Sequence, residues 1–537
     1  MINVIFTDNI DSERILEVKM SIINVKNLSH GFGARVIFED VSFRLLQGEH
    51  VGLIGANGEG KSTFMDIVTG KLMPDKGEVE WSKRFRSGYL DQHTVLEKGK
   101  TVREVLRDAY KYLFELEAEM NELFDKMATA TEKELEAQLI EVGDIQHILD
   151  HNDFYIIDTK INEVARGLGV MDIGMDSDVA ELSGGQRTKI LLSKLLLEKP
   201  EILLLDEPTN FLDEVHIEWL KRYLLEYENA FILISHDIPF LNSVINLIYH
   251  MGNGELNRYV GDYYNFEKLH EAKKKQVEAA YKKQQQEISN LQDFVQRNKA
   301  RISTRNMAMS RQKKLDKMEK IELIKEKPKP TFNFKKARTS GKELFETKDL
   351  IIGYDEPLSS KLNIAMERGQ KIAIKGANGI GKTTLLRSIL GEIKSLNGKI
   401  ELGQFIHIGY FEQEFKGDGD NTCIEEIWSE FPSMTQYEVR SALARCGLTT
   451  MHIESKVRVL SGGEQAKVRL CKLINRESNF LVLDEPTNHL DIDAKEELKR
   501  ALKAYSGSIL MISHESEFYE DIVTDIWDAN EWTTKIV

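Results

Sequence analysis

Gly55 to Thr63 read GANGEGKST, and Gly376 to Thr384 read GANGIGKTT. Both satisfy G-x-x-x-x-G-K-[ST], the pattern of a loop that cradles phosphate. Each follows an apolar run that reads as a strand, HVGLIG or KIAIKG. Each leads into a helix-like stretch, FMDIVTG or LLRSILG. The glycines let backbone N–H groups close on a phosphate, and the helix that follows presents its positive end to it. Lys61 and Lys382 are then placed to neutralise β- and γ-phosphate charge, and Ser62 and Thr383 to offer a hydroxyl to Mg²⁺. Gly55, Asn57, Gly58, Gly60 and Thr63 complete the first cradle, and Gly376, Asn378, Gly379, Gly381 and Thr384 the second.

Further landmarks repeat with the loops. LSGGQ (Leu182 to Gln186) precedes LLLDEPTN, and LSGGE (Leu460 to Glu464) precedes LVLDEPTN. Lys61 to Gln92 and Lys382 to Gln413 are both 31 residues. Ser183 to Asp206 and Ser461 to Asp484 are both 23, and Asp206 to His236 and Asp484 to His514 are both 30. One interval differs: Gln92 to Ser183 is 91 residues and Gln413 to Ser461 is 48, so the first copy carries 43 more. Repetition in this order excludes a chance loop and implies two copies of one unit. The apolar runs before Asp206 and Asp484 read as buried parallel strands, whose carboxyl ends are where α/β folds place ligands. Asp206 and Asp484 are there to hold Mg²⁺ through water. Glu207 and Glu485, one residue on, can orient and deprotonate an attacking water.

These residues resemble the ATP-binding cassette family in both halves. The resemblance implies an α/β fold of two P-loop cassettes in tandem, ATP as substrate, and Mg²⁺ as cofactor. It implies that Gln92 and Gln413 sense the metal and the nucleophile, and that His236 and His514 contact the γ-phosphate. It also implies a head-to-tail sandwich within one monomer. Ser183, Gly184, Gly185 and Gln186 would close over ATP on Lys382, and Ser461, Gly462, Gly463 and Glu464 over ATP on Lys61. Phe32 and Tyr354 stand where an adenine-stacking ring is expected, though either ring could equally be a packing residue. Glu464, in place of glutamine, is one way in which the two sites could be unequal, and the sequence gives no direction for it. Phe211, where the second copy has His489, puts the tuning of the first site in question.

The composition bounds what such motors drive. The chain has 537 residues, 41% hydrophobic and 30% charged, which suits a soluble protein of two to four domains. No apolar run approaches the roughly 18 residues of a membrane helix, and the acidic N-terminus is unlike a signal peptide. A cytoplasmic location is expected. Cys423, Cys446 and Cys471 are far apart in sequence and form no CxxC pair, which argues against a disulfide scaffold and against zinc. Net charge is −15, yet Glu271 to Ser340 holds 20 Lys/Arg and 8 Asp/Glu, leaving −27 on the rest.

Two segments lie outside the repeat. Tyr112 to Ile156 has 12 acids and 2 lysines. Leu113, Leu116, Met120, Leu123 and Met127 recur on one helical face, and Leu135, Leu139, Val142 and His147 form a looser stripe. A helical hairpin arm is expected there, its acidic surface suited to a basic protein. An enlarged helical subdomain with a solvated acidic face is the other reading. The second segment joins the copies. Val277, Tyr281, Ile288 and Val295, then Leu315, Met318 and Ile321, read as two long helices joined by a short basic turn. Arg297, Lys299, Arg301, Arg305, Arg311, Lys313 and Lys314 make a cationic tip suited to a phosphate backbone, or else a solvated spacer.

Two cassettes, an arm in the first and a basic helical linker resemble the ABC-F family, with DEPTNFLD and DEPTNHLD adding to the match. The expected domains are 1–19 as an extension, 20–261 as cassette 1 with an arm at about 112–156, 262–340 as linker, and 341–537 as cassette 2. Met20 is the expected working start, and no basic tail is expected after His514. The resemblance implies a translation factor at the ribosome's tRNA exit site. Its linker would face peptidyl-tRNA and large-subunit RNA at the peptidyl-transferase centre, and its arm a basic ribosomal protein on the L1 side. Protection of the ribosome from antibiotics is the alternative on the same fold. A transporter ATPase subunit is the remote one, since it would need a separate membrane partner. A DNA-repair cassette would need the zinc-binding cysteine clusters that are missing.

Overall fold

The computed structural model describes residues 21–32, 35–82, 85–90, 96, 99–127, 131–298, 305–318, 329–412 and 419–534. Residues 1–19, Gln92, Gln413, Lys299, Arg301 and Ile321 therefore lie outside the described residues, as does the side chain of Arg305.

Two units of one design follow each other. In the first, six strands lie in the order Ser87–Leu90, Ile202–Asp206, Ala230–Ile234, His50–Ile54, Leu247–Gly252 and Glu255–Val260. All neighbours are parallel except the last pair. In the second, five parallel strands run Ile408–Phe411, Phe480–Asp484, Ser508–Ile512, Lys371–Lys375 and Asp525–Asp528. Parallel pairing puts the carboxyl ends of the parallel strands on one edge. The loop before Lys61, the pair Asp206–Glu207 and His236 are thereby gathered from distant sequence, as are their counterparts in the second unit.

The apolar runs are buried on both faces, as a parallel sheet demands. Ile202 and Leu204 face a core shared with Phe43, Phe64 and Met65. Leu203 and Leu205 face the helical layer that holds Ile161, Leu192 and Leu220. Phe480 and Val482, then Leu481 and Leu483, divide in the same way in the second unit. A three-stranded antiparallel sheet covers the helix after each loop: Arg35–Leu46, Ser21–Phe32 and Lys76–Trp81 in the first unit, Ala365–Glu367, Glu343–Ile351 and Asn397–Leu402 in the second.

The extra residues of the first unit form a helical hairpin, Lys111–Met127 and Glu132–His151. Its first helix uses the predicted face: Leu113, Met120 and Leu123 are buried, and Leu116 and Met127 partly so. The second helix departs from prediction. Leu135, Leu139 and His147 are exposed, and the inward stripe is Val142, Ile145 and Leu149. The five-residue step from Val142 to His147 turns away from the inward face, whereas Leu135 and Leu139, seven and three residues before Val142, lie on its side but near the hairpin turn, where they stay exposed.

The linker opens with a 36-residue helix, Tyr263–Asn298, about 54 Å long at 1.5 Å per residue. Asp262 caps it, its Oδ1 accepting from the Asn265 N–H at 2.8 Å. Phe266, 6% exposed, seats the helix on the first unit against Tyr259 and His250. Val277, Tyr281, Ile288 and Val295 are half-buried, and Arg305–Asp316 runs back along this helix. The second described helix has 12 residues, so Arg305 and Arg311, expected in the turn, belong to a helix together with Lys313 and Lys314.

Residues 329–340 are a strap on the second unit. Phe332 is fully buried, and its N–H donates to Glu497 at 2.7 Å. The Thr331 N–H donates to the Arg445 carbonyl at 2.7 Å, and Phe334 packs edge-on to Tyr505.

Candidate functional site

The first loop wraps the Lys61 ammonium, which donates to the Gly55 carbonyl at 2.6 Å and the Ala56 carbonyl at 3.2 Å. Gly60 is left-handed at φ 98°, and a Cβ there would lie 2.2 Å from Ile37. Only glycine fits this turn. The Ser62 hydroxyl donates to Asp206 Oδ2 at 2.9 Å. Glu207 follows at φ 50°, a left-handed backbone held by its N–H on the Ile234 carbonyl at 2.9 Å. Such strain in a non-glycine residue persists where the fold over-determines it, often at functional sites. Burial and the neighbouring Asp206 push the Glu207 carboxyl up to about 8. His236 Nε2 meets Asn57 Oδ1 at 3.0 Å, and burial and Lys61 lower its pKa to about 3, so the ring is neutral.

The second loop repeats the geometry with different partners. Lys382 donates to the Ala377 carbonyl at 2.8 Å and lies 3.3 Å from His514 Nε2. Burial lowers the lysine to about 8. Asp484 is 1% exposed, and among the described residues neither carboxylate oxygen has a donor in full hydrogen-bond geometry. Burial and Glu485 raise it to about 7 against the opposing pull of the Thr383 hydroxyl and Lys382. A buried carboxylate beside a threonine hydroxyl is a fit for a hard divalent cation. Glu485, at φ 48°, has His514 Nε2 3.4 Å from Oε1 and accepts from Asn488 on Oε2. Burial works to raise its pKa, but His514 and Lys382 outweigh it and the carboxyl is lowered. The equivalent glutamates thus differ in charge tendency.

The two units face each other head to tail. Asn57 Nδ2 of the first loop donates to the His489 carbonyl at 3.1 Å, and Asn378 Nδ2 of the second donates to the Phe211 carbonyl at 3.3 Å. A Cβ on Gly463 would lie 2.2 Å from Asn57 Nδ2, so the second signature abuts the first loop. Phe211 and His489 both contribute a backbone carbonyl here, which any side chain could accompany. A cleft of about 520 Å³ between the units is lined by residues from both, including Glu207, His236, Glu485 and His514.

Ser183 and Ser461 each open a helix, Gly184–Glu198 and Gly462–Asn475. Gln186 and Glu464 turn back to them: the Ser183 N–H donates to Gln186 at 2.9 Å, and the Ser461 N–H to Glu464 at 2.9 Å. Both side chains are capping-box partners within their own unit. Glu464, 9% exposed, also lies 3.1 Å from His452 Nε2.

Asp213 and Asp491 were not singled out from the sequence, although they stand seven residues after Asp206 and Asp484 in DEPTNFLD and DEPTNHLD. Asp213 Oδ2 accepts from the Asn378 N–H across the interface at 3.3 Å, and Asp213 Oδ1 lies 2.5 Å from His216 Nδ1. Asp491 instead binds Lys467 of its own unit at 2.6 Å. Phe32 and Tyr354 are 53% and 59% exposed, rings not used in the core. At the linker, the Arg311 guanidinium lies 3.5 Å over the Phe294 ring and Lys314 pairs with Glu287 at 2.7 Å. Two of the predicted tip cations therefore clasp the hairpin together. Arg297 lies at the end of the first helix and Lys313 stands exposed on the second.

A family model described as ABC transporter matches residues 38–210 and 359–488, more than half of the chain. A second, of the same description, matches 249–334, which spans the linker. An uncharacterized ABC transporter ATP-binding protein, YfmM of Bacillus subtilis (strain 168), is 73% identical over 96% of this chain and all of its own length. ABC transporter F family member 2 of Arabidopsis thaliana is 35% identical over 95% of this chain and 76% of its own length. Among solved structures, one described as the complex of the archaeal ribosomal stalk protein aP1 with the ribosome recycling factor aABCE1 aligns at TM-score 0.56. At 18% identity, over 94% of this chain and 87% of the other, that is a likeness of fold.

Proposed function

The chain belongs to the ABC-F family of tandem ATP-binding cassette proteins, and from that premise we propose that it is an ATP-hydrolysing translation factor that acts on the ribosome in the cytoplasm. The observation that carries the reading is the pair of crossed contacts, Asn57 to His489 and Asn378 to Phe211, which makes each site the joint property of both cassettes. ATP held by Lys61 is covered by Ser461, Gly462 and Gly463, and ATP held by Lys382 by Ser183, Gly184 and Gly185. Phe32 and Tyr354 are free to stack on adenine. Ser62 with Asp206, and Thr383 with Asp484, hold Mg²⁺, joined by Gln92 and Gln413. Bound there, the metal offsets phosphate charge. Glu207 and Glu485 orient the attacking water and take its proton, and His236 and His514 face the γ-phosphate. ATP favours the closed sandwich and its hydrolysis releases it.

The linker is the output. Its hairpin carries a concentrated positive charge in an acidic protein, the electrostatic footprint of RNA contact. We place it toward peptidyl-tRNA and large-subunit RNA from the exit site, with the acidic arm on a basic ribosomal protein. The test is co-sedimentation of the Glu207→Gln, Glu485→Gln double variant with ribosomes in ATP. Accumulation is expected, because closure without hydrolysis traps the complex. No enrichment over the wild type would sink the reading.

A further inference from the structure

The two signatures differ by a carboxylate, and the structure places a histidine ring against it. Glu464 stands at the third position of the helix Gly462–Asn475, where the first cassette has the neutral Gln186. Its Oε2 accepts from the Ser461 N–H at 2.9 Å, and its Oε1 lies 3.1 Å from His452 Nε2. Both side chains are mostly buried, 14% exposed for His452 and 11% for Glu464. Among the described residues His452 is the ion-pair partner recorded for Glu464. The Cys423 thiol donates to the His452 carbonyl at 3.1 Å.

The internal repeat supplies the comparison. His452 lies nine residues before Ser461, and nine residues before Ser183 stands Gly174. The first cassette thus has Gly174 with Gln186, and the second has His452 with Glu464. Carboxylate and imidazole enter together. The geometry of the amide cap needs only an oxygen, which Gln186 supplies at the same 2.9 Å. A negative charge at that place is another matter. The end of this helix faces the first loop, with Gly463 against Asn57. A helix N-terminus favours an anion, and an uncompensated carboxylate in its first turn weakens that field.

We propose that His452 is a positioning residue for the site on Lys61: its imidazole offsets the charge of Glu464, so that the second signature can approach a nucleoside triphosphate. The inference rests on the reading of that site as one for ATP closed by Ser461 to Gly463. His452 touches no substrate in this scheme and acts through Glu464.

The test is a cycle of full-length variants, His452→Ala, Glu464→Gln and both together. Binding is followed with a fluorescent N-methylanthraniloyl ATP, and turnover by steady-state hydrolysis. His452→Ala is expected to raise the KM for ATP by about 10-fold with a smaller change in kcat, a scale set by one unpaired charge near a helix end. Adding Glu464→Gln to it should return KM to within about 2-fold of Glu464→Gln alone. A His452 that only packs the short helix Thr450–Glu454 would not be rescued by removing a charge, and failure of that rescue overturns the proposal. So does an unchanged KM in His452→Ala. Should that variant not fold, His452→Gln keeps a donor without a charge, and the same rise and rescue are expected of it. If wild-type protein binds no triphosphate, the ATP reading itself falls, an outcome distinct from a wild type that binds normally and a His452→Ala that does too.

Discussion

Asp213 and Asp491 hold one place in the repeat and make different contacts. Asp213 reaches the backbone of the opposite loop at Asn378, while Asp491 is buried with Lys467. Both cap a helix, Asp213 on the His216 N–H and Asp491 on the Ala494 N–H. Asp213→Ala is expected to cost about 1 kcal/mol as a lost cap and to slow ATP turnover through the interface. Asp491→Ala should cost about 3–5 kcal/mol, because it leaves the Lys467 ammonium buried alone. Denaturant titration of both variants checks the order; equal losses would contradict it. The sequence announced the loops, the aspartates and the glutamates because each motif is local and its spacing repeats. It did not announce Asp213, whose partner lies 165 residues away. The Glu464 cap on Ser461 and its approach to His452 were also out of reach of the sequence, because a cap and a ligand contact look alike in one dimension.

At the scale of elements, the arm and the linker show where periodicity suffices. The first arm helix repeats cleanly and was legible. The second has apolar residues on two faces, Leu139 and Ile140 outward and Val142 and Ile145 inward, so pattern alone chose a mixed stripe. The strap was hidden for another reason. TFNF continues a basic stretch in sequence, and only the groove of the second cassette makes Phe332 a core residue. Phe332→Ala should therefore lower the stability of that cassette by about 3–5 kcal/mol in calorimetry, whereas Phe405→Ala, on an exposed ring, should change little. The base of the linker helix is expected to respond to acid. His250 and His270 have ring centroids 4.6 Å apart, and burial lowers His250 to about 4 and also lowers His270. The released state, with ordinary histidines near 6.5, binds protons first. Attachment is then fully present above about pH 6.5 and lost as the pH falls toward 4. Melting at pH 7 and pH 5 is expected to show this slope, and His250→Gln to flatten it.

For the whole molecule, the balance of charge sets how it would meet RNA. Lys313 is exposed on the returning helix, whereas Arg311 and Lys314 are held by Phe294 and Glu287. Lys313→Ala should lower the salt dependence of ribosome binding by somewhat less than one phosphate contact's worth of slope. Arg311→Ala should act mainly by loosening the hairpin, visible as faster amide exchange along Arg305–Asp316. If both variants changed the slope equally, the division between clasp and contact would be wrong.

The anchors at the two ends of the linker have a mechanical consequence. The outgoing leg is fixed to the first cassette by Phe266, and the return segment is fixed to the second by Phe332. A hairpin mounted on one body swings with it as a passive pointer. One whose two ends are anchored on different bodies is a pair of tongs, and a parting of the cassettes would be expected to load the Arg311–Phe294 and Lys314–Glu287 clasps. The far end can then be advanced or withdrawn by a displacement at the base that is small beside the length of the lever.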